Sequence, residues 1–396
     1  MDDWARGEYK VPGGKLVAVS VAIGAAACTC PIGPVDFAVH TDVRHQDVRV
    51  DGDFFVDPAD DAPALLADIA RALAAGEPAQ AALDRHPGVR LVGIDAAAID
   101  TAYARALAAA AGSNPAVATG HRTQPEHPHP SHGLPADTPA GGDAIAAVGE
   151  DSEFARRWER LGRDLVVVHD APREPAEQMA LDKRWAREVA AGLRPPTLRL
   201  WEWASPCVVI GRFQSLPDEV HEAAARAEGF AVVRRCTGGG AMVVRPQHTI
   251  TYSLYVPAWF VGGLDARAAY RLCDRPIVRA LADLGIAVGF SGLNDIASPL
   301  GKIGGAAQRR FPAPPSSPAQ ADPRRPAGGA TLHHTTLAYD FDADLMARLL
   351  NTSPEKLADK AVRSARRRVD PLRRQTDLTR GQVVAHLLAA MPGHRA

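Results

Sequence analysis

Residues 111–150 form a tract rich in proline, glycine, histidine and small polar residues, with almost no large apolar side chains. Such a composition cannot bury enough apolar surface to offset the entropy lost on folding, and it is typical of flexible linkers. The tract divides the chain, so we predict a small domain in residues 1–110 and a larger domain in residues 151–392. Four histidines in the tract could bind a metal ion, but a flexible segment lacks the surrounding groups that orient metal ligands, so we favour a polar linker. These histidines are His121, His127, His129 and His132.

The composition of the whole chain is that of a globular protein. It has 396 residues, of which 46% are hydrophobic and 23% are charged, so two or three domains are expected. A formal net charge of −1 argues against a protein that binds nucleic acid. Five cysteines are too few for a disulfide framework in a chain of this length, which indicates a reducing compartment.

The apolar run at residues 16–28 resembles the hydrophobic part of a signal peptide at first sight. It follows an acidic rather than a basic segment, and it is shorter than the ~18 apolar residues that would span a bilayer. Valines recur at every second position, at Val17, Val19 and Val21, which predicts a strand with one buried face. Since no other segment is long and apolar enough, we expect a cytoplasmic protein that makes no membrane contact.

Apolar periodicity predicts mixed α and β structure on both sides of the tract. In the first part we predict strands near residues 16–23 and 43–50, a helix over 62–75 and a pair of alanine-rich helices over 79–110. In the second part strands and helices alternate. The predicted strands are 164–169, 198–203, 207–210, 232–235 and 249–254, and the predicted helices are 175–192, 217–228, 265–285 and 341–350. A proline-rich interruption after Arg310 is expected to be an exposed loop.

Charge is distributed unevenly between the two parts. Residues 1–110 contain 9 Lys and Arg against 16 Asp and Glu, whereas residues 151–396 contain 35 against 26. The larger part is therefore basic, which predicts that its ligand or partner is anionic.

Residues 232–243 carry the densest signal for a binding site: a strand-like run, two arginines, three consecutive glycines and a second apolar run. Glycines let the backbone approach a ligand closely, and successive exposed N–H groups form concavities that bind anions. Arg235 offers a forked, permanently charged donor to a phosphate. The loop lacks the Gly-Lys-Ser/Thr ending of a Walker A motif. A glycine turn within a hairpin, flanked by solvated arginines, is the structural alternative.

Two further segments contain candidate functional side chains. Lys302 lies among small residues, downstream of Asn294 and Asp295, so little would screen its ammonium from a carboxylate or phosphate ligand. The alternative for this lysine is a solvated turn. His333 and His334 are adjacent at the entry to a strand and point to opposite faces, which makes them a poor metal pair. We expect one histidine to be buried and the other exposed.

Taken together and in this order, these segments resemble the lipoate–protein ligase family, a branch of the biotin/lipoyl protein ligase superfamily. The resemblance covers nearly the whole larger part and is carried by residues 177–182, 201–214, 234–241, 294–306 and 333–337. Residues 9–17 and 52–55, with the helix that follows, are similar to the family's small accessory domain. The implied fold class is α+β: a catalytic domain of mixed sheets flanked by helices, plus a small α+β accessory domain.

The resemblance implies an ATP-dependent ligase that uses Mg²⁺ to form lipoyl-adenylate from lipoate and then transfers the lipoyl group to a lysine. The implied acceptors are apo lipoyl domains of 2-oxoacid dehydrogenase E2 subunits and the glycine cleavage H protein. Lys302 is implied as the catalytic residue and Asp295 as a metal ligand. The implied nucleotide-binding residues are Arg235, Gly238, Gly239, Gly240, Ala241, Met242, Val243, Asn294, Asp295 and Lys302. The implied contacts to the acyl substrate are Arg212, Gly240, Lys302 and His334.

The sequence departs from the family pattern at Val244, Arg245 and Thr335, which bears on substrate preference. The nearest alternative is an octanoyl- or lipoyl-transferase of the same fold that works through a cysteine thioester. It would need a nucleophilic cysteine near Lys302, and residues 286–310 contain none. A homologue that binds an acyl group or nucleotide without catalysis is a further alternative. The cysteines expected to be buried and inert are Cys207, Cys236 and Cys273.

Overall fold

The computed structural model describes residues 3–23, 48–111, 141–315, 328–351 and 369–392. The four histidines of the predicted linker, the first part of the strand predicted near 43–50 and most of the proline-rich interruption lie outside these ranges. Within the described ranges, no helix combines the length and the apolar character needed to cross a membrane.

In its described residues, 3–23 and 48–111, the N-terminal unit combines two small antiparallel sheets with three α-helices. Its strands are β1 Asp3–Lys10, β2 Leu16–Ile23, β3 Val48–Gly52, β4 Phe55–Asp57 and β5 Arg90–Val92, and its helices are α1 Ala62–Ala74, α2 Ala79–Arg85 and α3 Ala96–Ala110. The first three strands pair in the order β1-β2-β3, and β4 pairs with β5. Helix α1 buries Leu65, Ile69 and Leu73, and Gly76 follows it with a φ of +76°, so the predicted helix and its stop are confirmed.

Strand β2 is buried on both faces, so the prediction of a single buried face is wrong. Its alternating valines belong to the core of the N-terminal unit. Ser20, on the opposite face, is also buried and accepts a hydrogen bond from Arg6 at 3.3 Å. The Arg6 guanidinium in turn lies 3.2 Å from the carboxylate of Asp218. The second face is covered because the larger part of the chain packs against it.

The C-terminal unit, residues 141–392, contains a seven-stranded sheet and a three-stranded sheet. Its strands are β6 Val166–His169, β7 Thr197–Trp201, β8 Cys207–Ile210, β9 Ala231–Arg234, β10 Met242–Val244, β11 Thr249–Pro257, β12 Gly289–Ser291, β13 Asp295–Ser298, β14 Gly301–Pro312 and β15 Gly329–Ala338. The larger sheet has the order β12-β13-β14-β15-β11-β7-β6, antiparallel except for the parallel pair β6 and β7. The smaller sheet has the order β10-β8-β9, in which β9 is parallel and β10 antiparallel to β8.

Helices cover both faces of the larger sheet. The described helices of this unit are α4 Gly141–Gly162, α5 Pro175–Ala190, α6 Leu216–Glu219, α7 Glu222–Ala227, α8 Ala266–Asp283, α9 Ala343–Leu349 and α10 Arg380–Ala389. Of these, α6, α7 and α9 pack with the smaller sheet rather than the larger one. On β11, an inner strand next to the central strand β15, Tyr252 and Leu254 pack with α4, α8 and α10, while Tyr255 packs with α5. This arrangement confirms the predicted α+β class with mixed sheets flanked by helices.

Two predicted boundaries need correction. The single helix predicted over 217–228 is two short helices, α6 and α7, because Val220 between them is extended and forms a bridge with Leu350. Helix α4 begins at Gly141, so the predicted flexible linker does not reach residue 150. Alanine, which recurs there, is the strongest helix former.

The two units pack directly against each other around Phe213. Its ring stacks on Phe54 with centroids 5.4 Å apart and planes 3° apart, and it belongs to the apolar core of the N-terminal unit. Its carbonyl oxygen accepts a hydrogen bond from the Gly52 amide at 2.9 Å. Gln214 donates to the Asp53 carboxylate at 2.9 Å. The C-terminal unit thus inserts an aromatic anchor into its neighbour.

Phe213→Ala is expected to lower the free energy of unfolding by about 3 kcal/mol, because it leaves a cavity where a buried ring was stacked. Urea denaturation followed by far-UV circular dichroism measures the change. Phe213→Leu keeps most of the buried volume and is the control, with a loss of about 1 kcal/mol. Equal stability of the Ala variant and the wild type would contradict this packing.

Candidate functional site

A cavity of about 270 Å³ lies at the junction of the two sheets and the N-terminal unit. Its walls combine apolar side chains with cationic groups, which suits a ligand that has an apolar tail and an anionic head. The predicted site residues that line it are Arg235, Gly239, Gly240, Ala241, Met242, Val243, Asn294, Lys302 and His334. The apolar lining includes Met179, Trp201, Trp203, Val209 and Met346. Segments more than a hundred residues apart in sequence therefore converge on one cavity.

Lys302 is positioned by the edge of the larger sheet. It lies near the start of β14 beside a bulge in β13, and its side chain is 44% exposed. Its ammonium donates to the Asp295 carboxylate at 2.7 Å. The ammonium also lies over Gly305, where a Cβ would approach Nζ to 2.8 Å. A side chain at that position would push the lysine away, so the small residues around Lys302 set where its charge lies.

Asn294 joins the two units inside the cavity. Its amide nitrogen donates to the Ala306 carbonyl on β14, and its amide oxygen accepts from the ammonium of Lys15 at 2.7 Å. Lys15 was not predicted as a site residue. It follows the turn Pro12-Gly13-Gly14, in the segment that resembles the accessory domain, and that resemblance is the signal that points to it. Burial lowers the pKa of Lys15 to about 8.

The three-glycine loop is held from within by Arg235. The buried guanidinium donates to the Gly238 carbonyl at 3.0 and 2.8 Å and to the Gly240 carbonyl at 2.9 Å. Burial lowers the pKa of Arg235 to about 10. Arg235 was predicted to bind a phosphate, but these N–H groups of its guanidinium are directed to the loop itself. The flanking strands β9 and β10 lie on opposite sides of β8, so the loop is not a hairpin turn.

The loop also lies very close to Gly211 and to the N-terminal unit. A Cβ on Gly211 would come within 1.9 Å of the Gly239 carbonyl oxygen, and one on Gly238 within 2.3 Å of the Phe54 carbonyl oxygen. Gly239 has a φ of +94°, which favours glycine. Close packing, rather than ligand contact alone, therefore requires glycine here. Gly238 faces the N-terminal unit and does not line the cavity.

His334 is part of a buried polar network beneath the loop. Its Nδ1 lies 2.7 Å from the Asp182 carboxylate, and its Nε2 lies 2.8 Å from the Thr237 hydroxyl. Burial alone would raise the pKa of Asp182, but hydrogen bonds from His334, Tyr255 and Ser253 hold it below its usual value. The network ties β15 and α5 to the glycine loop. His334 therefore positions the loop as well as lining the cavity.

His333 occupies the other face of β15 and is also buried. Its Nε2 lies 2.5 Å from the Asp274 carboxylate on α8, and its Nδ1 lies 2.9 Å from the Gln308 amide. The prediction that one of the two histidines is exposed is therefore wrong. Both are buried because α5 covers one face of β15 and α8 covers the other.

Two other predicted residues lie outside the cavity lining. The backbone amide of Arg212 donates to the Thr237 carbonyl at 2.8 Å, and its guanidinium lies 5.6 Å from the centre of the Phe213 ring. Burial lowers the pKa of Arg212, and the nearby charge of Arg309 adds to this. Asp295 contributes through its ion pair with Lys302. Within the described residues, no three His, Cys, Asp or Glu side chains cluster as metal ligands.

The described cysteines are poor nucleophiles. Cys207 and Cys273 are buried, and Cys236 is partly buried. Burial raises the pKa of all three thiols above the usual value. None of them is among the residues that line the cavity. The cavity, as far as the structure describes it, is lined by a lysine ammonium and by no thiol.

Gly211→Ala is expected to lower the free energy of unfolding by about 2 kcal/mol, because its methyl group must displace the Gly239 carbonyl. Chemical denaturation measures the difference. Gly289→Ala is the matched control, since a Cβ there meets no atom within 4 Å, and its stability should change by less than ~1 kcal/mol. Equal effects of the two substitutions would contradict the close approach of the loop.

Comparison with known proteins agrees with the resemblance seen in the sequence. The family model described as the lipoyl protein ligase A/B catalytic domain matches residues 174–392. A protein of Symbiobacterium thermophilum named octanoyltransferase LipM is 32% identical over 181 residues, which are 44% of this chain and 65% of that protein. One of the same name from Halalkalibacterium halodurans is 26% identical over 231 residues, 53% of this chain and 79% of that protein. The chain thus spans just under two thirds of the first relative.

Among solved structures, a bipartite lipoate protein ligase of Thermoplasma acidophilum is 24% identical, with a TM-score of 0.43 over 57% of this chain and 80% of that chain. The family model covers more than half of the sequence and includes the glycine loop, Lys302 and His334. The chain therefore belongs to the family of the lipoyl protein ligase A/B catalytic domain.

Proposed function

We propose that this protein transfers an octanoyl or lipoyl group to a lysine of a lipoyl domain. It is an enzyme of the lipoate ligase and transferase family, and the relatives described above are named octanoyltransferases. Those names support an octanoyl- or lipoyl-transferase better than they support ATP-dependent ligation. Because the described cysteines do not line the cavity, the transfer that we propose is direct and does not pass through the cysteine thioester considered in the sequence analysis. An octanoyl group and a lipoyl group share an apolar chain joined to a carbonyl carbon, which suits a cavity with apolar walls and cationic groups.

The observation that carries the proposal is the position of Lys302 at the mouth of an apolar cavity. The walls formed by Trp201, Trp203 and Val209 would hold the acyl chain, with its carbonyl near the lysine ammonium. When the acceptor amine attacks that carbonyl carbon, negative charge develops on the carbonyl oxygen. A fixed ammonium stabilises this oxyanion. When the oxyanion collapses, the bond between the carbonyl carbon and the donor sulfur breaks, and the departing carrier thiolate takes up the proton that the amine loses.

A second candidate, ATP-dependent ligation, is favoured by the chemistry of the lining. Without a described thiol in the cavity, an acyl group would move directly from donor to acceptor and not through an acyl-enzyme. In ligation, a carboxylate oxygen of lipoate attacks the α-phosphorus of ATP and pyrophosphate leaves; the acceptor amine then displaces AMP. Lys302 and the backbone around Gly239 and Gly240 would bind the phosphate oxygens. Asp295 would be the carboxylate ligand of Mg²⁺, which commonly uses one or two carboxylates plus phosphate oxygens.

Incubation of the full chain with an apo lipoyl domain tests both candidates in one assay. One arm supplies octanoyl-carrier protein, the other lipoate with ATP and Mg²⁺, and intact-protein mass spectrometry measures the acylated domain. We expect acylation of a single lysine in at least one arm. Acylation by octanoyl-carrier protein alone supports the transferase, and acylation that depends on ATP supports the ligase. No acylation in either arm would contradict acyl transfer and favour a non-catalytic binding protein.

Lys302→Met should reduce the rate of acyl transfer by about 100-fold, because removal of one preorganised donor to a developing oxyanion has an effect of that order. The folded state should be little affected, since the side chain is 44% exposed. Initial rates with the more active donor provide the measurement. Lys183→Met, an exposed lysine outside the cavity lining, is the matched control and should retain the wild-type rate. A wild-type rate in Lys302→Met would contradict a catalytic role for this lysine.

A further inference from the structure

The N-terminal unit contributes a cationic side chain to the cavity. Lys15 immediately precedes β2. Its carbonyl oxygen accepts a hydrogen bond from the Val11 amide at 3.1 Å, and its own amide donates to the Gly93 carbonyl at 2.6 Å. Its side chain extends into the cavity and reaches Asn294 at 2.7 Å. A Cβ on Gly93 would come within 2.4 Å of the lysine side chain. The backbone and the glycine thus fix the direction in which Lys15 enters the site.

The surroundings of Lys15 point to an anionic ligand. An ammonium has three N–H donors, and burying it is costly unless it is hydrogen-bonded or paired with negative charge. Within the described residues, the acceptor bonded to it is the neutral amide oxygen of Asn294. Phe55 lies 5.4 Å from the ammonium on another side. A second cationic group, Lys302, lines the same cavity. In the part of the chain that the structure describes, Lys302 is bonded to the Asp295 carboxylate and Lys15 to a neutral amide, so one of the two ammonium groups is bonded directly to a carboxylate. This arrangement favours a bound anion.

We propose that Lys15, which the N-terminal unit supplies, is a catalytic residue. Together with Lys302, it binds the negatively charged oxygen next to the acyl carbon. The inference rests on the proposed acyl transfer. The shared chemistry is an anionic oxygen beside the reacting carbonyl carbon. That oxygen is the phosphoryl oxygen of an acyl-adenylate in ligation, or the oxyanion formed on a thioester carbonyl in direct transfer. In both cases Lys15 donates a hydrogen bond and forms no covalent bond.

The charges around Lys15 make its contribution depend on pH. Burial lowers the pKa to about 8; Asp295 and Asp53 oppose this effect, whereas Lys302 and Lys10 add to it. The ammonium is charged below that pH and loses its proton as the pH rises through it. Transfer assisted by Lys15 should therefore decline above pH 8. A guanidinium at this position would keep its charge throughout this range.

Three variants of the full chain test the inference: Lys15→Met, Lys15→Arg and the control Lys183→Met. Lys15→Met should lower kcat by about 100-fold, with a smaller change in KM for the acyl donor, if its charge stabilises the transition state. Lys183→Met should match the wild type. In Lys15→Arg, the decline of kcat/KM near pH 8, which reports the pKa of the free enzyme, should disappear while activity at pH 7 stays above that of Lys15→Met. Thermal unfolding of each variant confirms that the assayed protein is folded.

The two donor arms identify the oxygen that Lys15 binds. A loss in Lys15→Met confined to lipoate plus ATP assigns the phosphoryl oxygen, and a loss with octanoyl-carrier protein assigns the carbonyl oxyanion. Lys15→Met with kcat within twofold of the wild type in every active arm would overturn the inference, as would a wild-type pH profile in Lys15→Arg. These outcomes can be interpreted when the wild-type protein transfers acyl groups. An inactive wild type instead refutes the proposed function, so the two failures are distinguishable.

Discussion

The buried guanidinium of Arg235 fixes the conformation of the three-glycine loop, and the cavity is built against that loop. Carbonyl groups buried without partners would be costly, and Arg235 satisfies those of Gly238 and Gly240. With these groups bonded, the loop can pack against Gly211 on one side and against Phe54 on the other. One buried cation therefore links the smaller sheet, the loop and the interface between the units.

A second buried network supports the same loop from the larger sheet. Asp182 bonds His334, and His334 reaches the Thr237 hydroxyl at the base of the loop. A buried charge in such a network contributes little net stability, but removal of a partner is strongly destabilising, so the network selects one arrangement. The loop is consequently held both by Arg235 and by His334, and a site built on it needs little reorganisation when a ligand binds.

The sequence allowed the fold class and much of the site to be predicted, because those features depend on local patterns. Apolar periodicity identifies α1, β2 and β11, and the small residues around Lys302 identify an exposed cation. Features that depend on contacts between distant parts of the sequence were missed. Lys15 meets Asn294 across 279 residues of sequence, and no periodicity indicates that pairing. The burial of both His333 and His334 depends on helices packed against opposite faces of β15, which the strand's own sequence does not specify.

The uneven charge of the chain has a structural explanation beyond ligand binding. Arg309 forms an ion pair with Asp60, and Arg310 lies 3.2 Å from Asp57, so basic residues of β14 contact the acidic N-terminal unit. Part of the positive excess of the C-terminal unit is thus matched within the molecule. The N-terminal unit, although acidic overall, supplies Lys15 to the cavity. Screening confines the effect of surface charges to about 10 Å, so the buried ammonium acts on its immediate surroundings. One interface therefore has two consequences: the units dock through complementary charges, and a cation is delivered to the cavity. The positive charge of the site depends on both units being in contact.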